Sequence, residues 1–162
     1  MSQIKVDSIV PRGGLPSSAS GGIIQQKFVN DTTTFTATTH SSFLDLPLTL
    51  SITPQSSSNK ILVTANITIQ FGTTVFVLRL LRGTTNIGTT SESGGFQGIT
   101  GGTQDSSRGA ATNTIVFLDS PSTTSSTTYK IQCLFQSGTL QYNRRDTDFR
   151  ACSQMLLQEV GM

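Results

Sequence analysis

Apolar and polar residues alternate along much of the chain from residue 23 onward. In the segment 61–71 the odd positions are Ile, Val, Ala, Ile, Ile and Phe, and most even positions are polar. The same period of two runs through 44–52 and 129–135. Successive side chains of a β-strand point to opposite faces, so this period predicts strands with one buried and one solvated face.

The remaining strand candidates lie between short turn signals. They are 23–29, 75–82, 86–90, 110–118, 139–143 and 150–160. Turn signals recur roughly every 8–12 residues and no helical period is present, which is typical of an antiparallel β-sandwich. A count of about eight to nine strands favours a jelly roll. The sequence therefore predicts an all-β domain over 23–162.

The segment 1–22 has a different character. Its sizeable apolar residues before the Pro- and Gly-rich stretch 11–22 are Ile4, Val6, Ile9 and Val10. Four such side chains are too few for a core, and Pro and Gly punctuate the rest. The segment is either a disordered tail or an extended N-terminal arm that orders only against a partner. We interpret it as an arm.

Three segments are apolar on both faces, which is more than a half-exposed strand needs. They are 75–82, 115–118 and 155–157. A single sandwich has one interior, so the second face must meet something else, either another copy of the chain or covering loops. We expect a symmetric oligomer and assign Phe76, Leu78 and Leu80 to its interface.

A long Gly-rich loop is predicted over 91–109. Loops of this length are usually functional or mobile. Phe96, Ile99 and Arg108 are its candidate contacts with a glycan or protein. Phe96 could equally fold back onto the domain as a plug.

Composition excludes several classes of function. Charged residues are 12% of the 162, about half the usual share of roughly 25%, and the formal net charge is +2. A nucleic-acid-binding protein would carry clustered Lys and Arg, so no nucleic-acid partner is expected. No apolar run approaches the roughly 18 residues of a membrane span, so no membrane insertion is expected either.

The surface and the cysteines bear on where the protein is made. The first residues lack the continuous apolar stretch of a signal peptide, although the Ser- and Thr-rich composition resembles that of secreted adhesins. A virion component made in the host cytoplasm and released by lysis satisfies both observations. Cys133 and Cys152 show no metal-binding spacing, and we expect free thiols rather than a disulfide.

No constellation of residues points to catalysis. The single histidine, His40, lies in a Ser- and Thr-rich connector without a nucleophile motif. The acidic residues are scattered, and no Gly-rich phosphate loop or metal-ligand spacing is present. We therefore expect a non-enzymatic protein with no catalytic residues, no metal and no cofactor.

Several short motifs resemble structural proteins of marine tailed phages, especially cyanophages. They are 2–9 (SQIKVDSI), 13–16 (GGLP), 51–54 (SITP), 56–63 (SSSNKILV), 80–84 (LLRGT), 117–121 (FLDSP), 128–130 (TYK) and 156–159 (LLQE). The resemblance implies a homotrimeric tail, neck or head fibre whose jelly roll is similar to the tumour-necrosis-factor and complement C1q folds. It also implies that the arm 1–22 docks on other virion proteins, while the domain faces a glycan or protein of the host surface.

Two other functions remain open at this point. The same sandwich could serve as a capsid decoration or cement protein that stabilises the shell. A polysaccharide depolymerase domain is a third candidate, disfavoured by the missing carboxylate pair.

Overall fold

The computed structural model describes residues 22–38, 42–72, 74–89, 96–104, 109–147 and 149–161. All regular secondary structure in these residues is β, in thirteen strands. The strands are β1 (Ile23–Asp31), β2 (Phe35–Ala37), β3 (Leu44–Ile52), β4 (Lys60–Gln70), β5 (Thr74–Arg82), β6 (Thr85–Ile87), β7 (Thr100–Gln104), β8 (Ala111–Asp119), β9 (Thr127–Phe135), β10 (Leu140–Tyr142), β11 (Arg144–Arg145), β12 (Phe149–Arg150) and β13 (Ser153–Val160). The all-β prediction is confirmed.

Sheet A is built around β4. On one side β4 pairs with β8 along nine residues, from Ile61–Asp119 to Ile69–Ala111. On the other side it pairs first with β13 and then, at Ile69, with the short β10. The strands β1 and β2 lie one step further out, paired with β13 and β10 respectively. Sheet A is therefore four strands wide.

Sheet B is built around β9 and β5. The strand β9 pairs with β3 on one side and with β5 on the other. The short strands β6 and β7 share the far edge of β5. We call strands that occupy the same position in a sheet one line: β1 with β2, β13 with β10, and β6 with β7. The two sheets then contain eight lines. This count matches the eight or nine strands that the sequence predicts.

The order of these lines is that of a jelly roll. Numbered along the chain, the lines of sheet A stand in the order 1-8-3-6 and those of sheet B in the order 2-7-4-5. Neighbours within each sheet come from distant parts of the sequence, as in the paired Greek keys of this fold. The jelly-roll prediction is confirmed.

The core lies between the two sheets and follows the period of two. Odd positions of β4 and β9, such as Ile61 and Ile131, are fully buried. At one end of the core Phe71 packs on Phe76 and Phe135, with ring centroids 4.8 Å and 5.2 Å away. Aromatic rings in such offset contacts add to the energy of apolar burial.

The assignment of Phe76, Leu78 and Leu80 to an oligomer interface is wrong. All three point into the core of their own chain, where they are 5%, 0% and 0% exposed. A side chain covered by its own fold is not available to a second copy. The opposite face of β5 is the outer one, and it carries Val75 and Arg79.

The Gly-rich segment 91–109 contains a strand, β7, where the sequence predicts only a loop. Two of its glycines allow the backbone to approach β5 closely: a Cβ atom at Gly98 would overlap the carbonyl oxygen of Leu78, and one at Gly101 that of Phe76. Glycine serves here to permit close packing of two strands.

Both cysteines are free, as predicted. Cys133 is fully buried in the core, and burial raises the pKa of its thiol to about 12. Cys152 is partly exposed.

Candidate interaction surface

The outer face of sheet A carries three rows of cross-strand neighbours that are mainly apolar. The first row is Phe28–Leu156–Thr64–Val116, the second is Gln26–Gln158–Leu62–Leu118, and the third is Ile23–Val160–Lys60. We call these eleven residues the A face. They follow from the alternation in β1, β4, β8 and β13, whose other side chains fill the core.

The large side chains at the two edges of the A face are open to solvent. Val116 is 61% exposed and Leu118 50% exposed on β8, while Phe28 and Ile23 on β1 are each 59% exposed. Between them, Leu156 and Leu62 are half-buried. Large apolar side chains grouped on one surface are typical of interaction sites.

The two segments that form much of this face, 115–118 and 155–157, are those the sequence marks as apolar on both sides. The structure places Ile115 and Leu157 in the core and Val116 and Leu156 on the A face. The second apolar face of these two strands therefore exists, on the outer side of sheet A.

The A face is almost free of charge. Lys60, at its end, is the only charged side chain that the described strands of sheet A place on their outer side. The adjacent row is polar but uncharged, and in it the Thr114 hydroxyl donates to Asn66 Oδ1 at 2.7 Å. Nothing on this surface requires a charged partner.

The outer face of sheet B differs in character. Lys130 Nζ lies 2.9 Å from Asp45 Oδ2, and the Arg79 guanidinium stacks on the Phe43 ring at 3.6 Å. The hydrogen bond from Lys130 is the main cause that holds the pKa of Asp45 below its usual range. Charged groups with this exposure are typical of a solvated surface.

The described part of the chain covers the far end of sheet A. Thr68 and Gln70 continue the outer positions of β4, yet both are buried. Cys152 passes over this end, and its carbonyl accepts a hydrogen bond from the Thr68 hydroxyl at 3.3 Å. Within the described residues, covering loops, the alternative that the sequence leaves open, therefore account for this end, while the A face keeps exposed apolar side chains.

The two ends of the sandwich are held by buried polar groups. At one end Asp119 of sheet A accepts hydrogen bonds from Arg82 at 2.9 Å and from the Tyr129 hydroxyl at 2.7 Å, which link it to sheet B. Burial, together with the bond to Asp119, raises the pKa of Tyr129. At the same end Glu159 accepts hydrogen bonds from the side chains of Gln25 and Asn59. The bonds of Asp119 therefore join the two sheets at this end, while those of Glu159 join β13 to β1 and to the turn before β4.

The remaining candidate residues are placed as follows. Phe96 is 42% exposed, so the structure does not tuck it away as a plug. Ile99 packs against the core, and its backbone N–H donates to the Leu78 carbonyl at 2.8 Å, so it anchors the loop. The four apolar residues of the arm, together with His40 and Arg108, lie outside the described residues.

Two searches of the described residues found nothing. They contain no group of three or more His, Cys, Asp or Glu side chains that could hold a metal ion. Nor does this part of the chain form a helix that is long and apolar enough to cross a membrane.

Sequence reasoning missed Phe28, Leu62 and Leu118 as members of one surface. Each was visible as an apolar residue, but their neighbourhood depends on the order β1–β13–β4–β8. Apolar residues on the polar side of a period-two strand are the signal that could have found them.

Comparisons with known proteins give no family for the chain, but they show similarity in fold to solved structures. No protein-family model matches, and no curated protein matches. Among solved structures, the chain is similar to the D431N mutant VP2 protein of infectious bursal disease virus in derived T=1 particles, at 10% identity and a TM-score of 0.44. It is also similar to infectious bursal disease virus Gt strain, at 10% identity and a TM-score of 0.42. The alignments cover 97% and 98% of this chain but only 42% and 44% of those chains. Likenesses this distant carry no argument about function.

Proposed function

We propose that the chain is a non-enzymatic structural component of a tailed-phage virion. In this proposal it forms a homotrimeric fibre or adhesin of the tail, neck or head. The arm 1–22 anchors it to other virion proteins through Ile4, Val6, Ile9 and Val10, and the jelly roll faces the host surface. The motif resemblance suggests the class of protein. The positions of the two ends of the described domain support the proposed orientation.

The observation that carries the proposal is that the described domain has two unlike ends. The chain enters β1 at Gly22, whose carbonyl accepts a hydrogen bond from the N–H of Gly161 at 2.9 Å. The hairpin of β11 and β12 lies at the opposite end of sheet A, after Tyr142, which pairs with Ile69. A domain tethered at the Gly22 end therefore presents the hairpin end outward.

The outward end carries groups suited to contact with a host surface. Phe149 and Arg145 are exposed on the hairpin. Gly109 lies close to the Arg145 guanidinium, since a Cβ atom there would be 3.4 Å from it. Exposed Arg and aromatic side chains are enriched at protein interfaces.

The test is the protein content of purified particles. Quantitative mass spectrometry should detect the chain at a few trimers per attachment point, and particles that carry a deletion of residues 2–12 should lack it. The truncated protein should still fold, because the deletion lies outside the described strands. A truncated chain that enters particles at normal copy number would show that the arm is not the anchor.

The same experiment separates the capsid-decoration alternative. A cement protein covers the shell, so its copy number would approach that of the major capsid protein. Absence of the chain from particles would contradict both functions.

A further inference from the structure

We propose that copies of this chain meet one another through the A face. The inference rests on the proposed homotrimer, for which it names the contact surface. It replaces the interface expected at Phe76, Leu78 and Leu80, because those three side chains are buried in the core of the single chain.

The size of the A face fits a contact between copies. A strand spacing of about 4.8 Å and a rise of about 3.3 Å per residue give three rows on four strands a projected area of roughly 400 Å². The adjacent row, which includes Asn66 and Thr114, raises this to about 500 Å². Accessible area exceeds projected area because side chains protrude. The projected area alone is thus about six-tenths of the roughly 800 Å² per partner of a standard stable interface.

The composition of the A face fits a second copy better than another occupant. In a symmetric assembly the same surface recurs in every subunit, so like charges on it are brought close together. The A face has only Lys60, at its rim, whereas the outer face of sheet B carries Asp45, Lys130 and Arg79. A membrane surface would call for several basic residues around the apolar group, and this face lacks them.

The distribution of side chains also fits an interface. Phe28 and Val116 stand at opposite edges, and Thr64, which is small, lies between them in the same row. Leu156 and Leu62 lie between the exposed edge residues, and a row of uncharged polar groups follows at one side. Depletion of charged residues is typical of the buried part of an interface.

Light scattering on size-fractionated protein tests the proposal through matched substitutions. The wild-type chain should show three times the 17.3 kDa mass of one chain. Val116→Asp and Phe28→Asp should reduce the mass threefold, to that of a monomer, because each buries an unpaired charge at the contact. Both side chains are open in the single chain, so these variants should keep the β-type circular dichroism of the wild type.

Val75→Asp is the matched control. Val75 is an exposed valine of the outer face of sheet B, so the same substitution there should leave the oligomer intact. If Val116→Asp fails to fold, covalent trapping decides instead. In a Cys152→Ser background, Thr64→Cys should give cross-linked oligomers with a short bis-maleimide, and Thr49→Cys on sheet B should not.

Each result supports or overturns the inference. Oligomers that persist in Val116→Asp and Phe28→Asp would show that copies meet elsewhere, and the inference would be wrong while the homotrimer stands. A monomeric wild-type protein would overturn both, whatever the particle content shows. A monomer whose Val116→Asp variant alone fails to enter particles would assign the A face to a different virion protein, and the inference would again be wrong.

Discussion

The buried carboxylate of Glu159 provides a quantitative test of how the end of the sandwich is held. It is 0% exposed and accepts hydrogen bonds from Gln25 Nε2 at 2.6 Å, Asn59 Nδ2 at 2.6 Å and the Gln55 N–H at 2.7 Å. The substitution Glu159→Gln keeps the shape of the side chain but removes its charge. It also turns one oxygen that accepts hydrogen bonds into an NH₂ group that cannot.

The loss of folding stability in Glu159→Gln can be worked out from these hydrogen bonds. A hydrogen bond to a charged group contributes about 1.5–3 kcal/mol, and a buried donor left without a partner costs about 1–3 kcal/mol. Because the glutamine keeps one acceptor oxygen, the net loss should be that of roughly one such bond, about 2–3 kcal/mol. Urea unfolding at neutral pH measures it. Asp45→Asn, which breaks the exposed pair with Lys130, is the control and should cost no more than about 1 kcal/mol.

The pH dependence of stability supplies a second measurement on the same variant. Burial disfavours the charged form of Glu159, but the hydrogen bonds from Asn59, Gln25 and Gln55 outweigh burial and lower its pKa. A lowered folded-state pKa adds stability above the unfolded-state pKa of about 4.3, and that stability is lost as the pH falls through the folded-state pKa. Glu159→Gln should therefore lose less stability than the wild type on acidification. An unchanged acid slope together with a loss under about 0.5 kcal/mol would refute the role given to this carboxylate.

Three further predictions concern the core, the close strand approach and the thiols. Leu78→Ala should lower the free energy of unfolding in urea by about 2–5 kcal/mol because Leu78 is fully buried. Val116→Ala in the dissociated chain should lower it by under about 1 kcal/mol, and similar losses would contradict the assigned faces. Gly101→Ala should lower the free energy of unfolding by about 1–3 kcal/mol because the new Cβ would overlap the Phe76 carbonyl oxygen. Gly102→Ala, whose Cβ would have its nearest atom 4.0 Å away, should change that free energy by under about 0.5 kcal/mol. A thiol reagent should find both cysteines in the denatured protein but modify Cys152 well before Cys133 in the native one, and equal native rates would count against the burial of Cys133.

The period of two was enough to predict the strands that matter most. In β4 and β9 the odd positions from 61 to 69 and from 129 to 135 all lie in the core, because both strands sit mid-sheet with one face toward the opposite sheet. The jelly roll could be predicted from the number of strands and the spacing of turns. Strands of two or three residues, such as β2 and β11, were beyond this approach since they carry too few positions to show a period.

An apolar outer face could be predicted from the sequence, but its place in the fold could not. A strand that is apolar on both sides gives no local sign of which side the opposite sheet covers. For β5 the covered side is that of Leu78, and for β8 it is that of Ile115, which leaves Val116 outside. Long-range pairing decides this, and it also brings Phe28 into one row with Val116, 88 positions further along the chain.

Electron microscopy of purified particles is the sharpest test of the proposed virion role. We expect trimers of this jelly roll at the tail, neck or head, with the Gly22 end toward the particle, the β11–β12 hairpin outward and the A faces turned toward the threefold axis. A particle without this chain, or with its domain tethered by the hairpin end, would contradict the proposal.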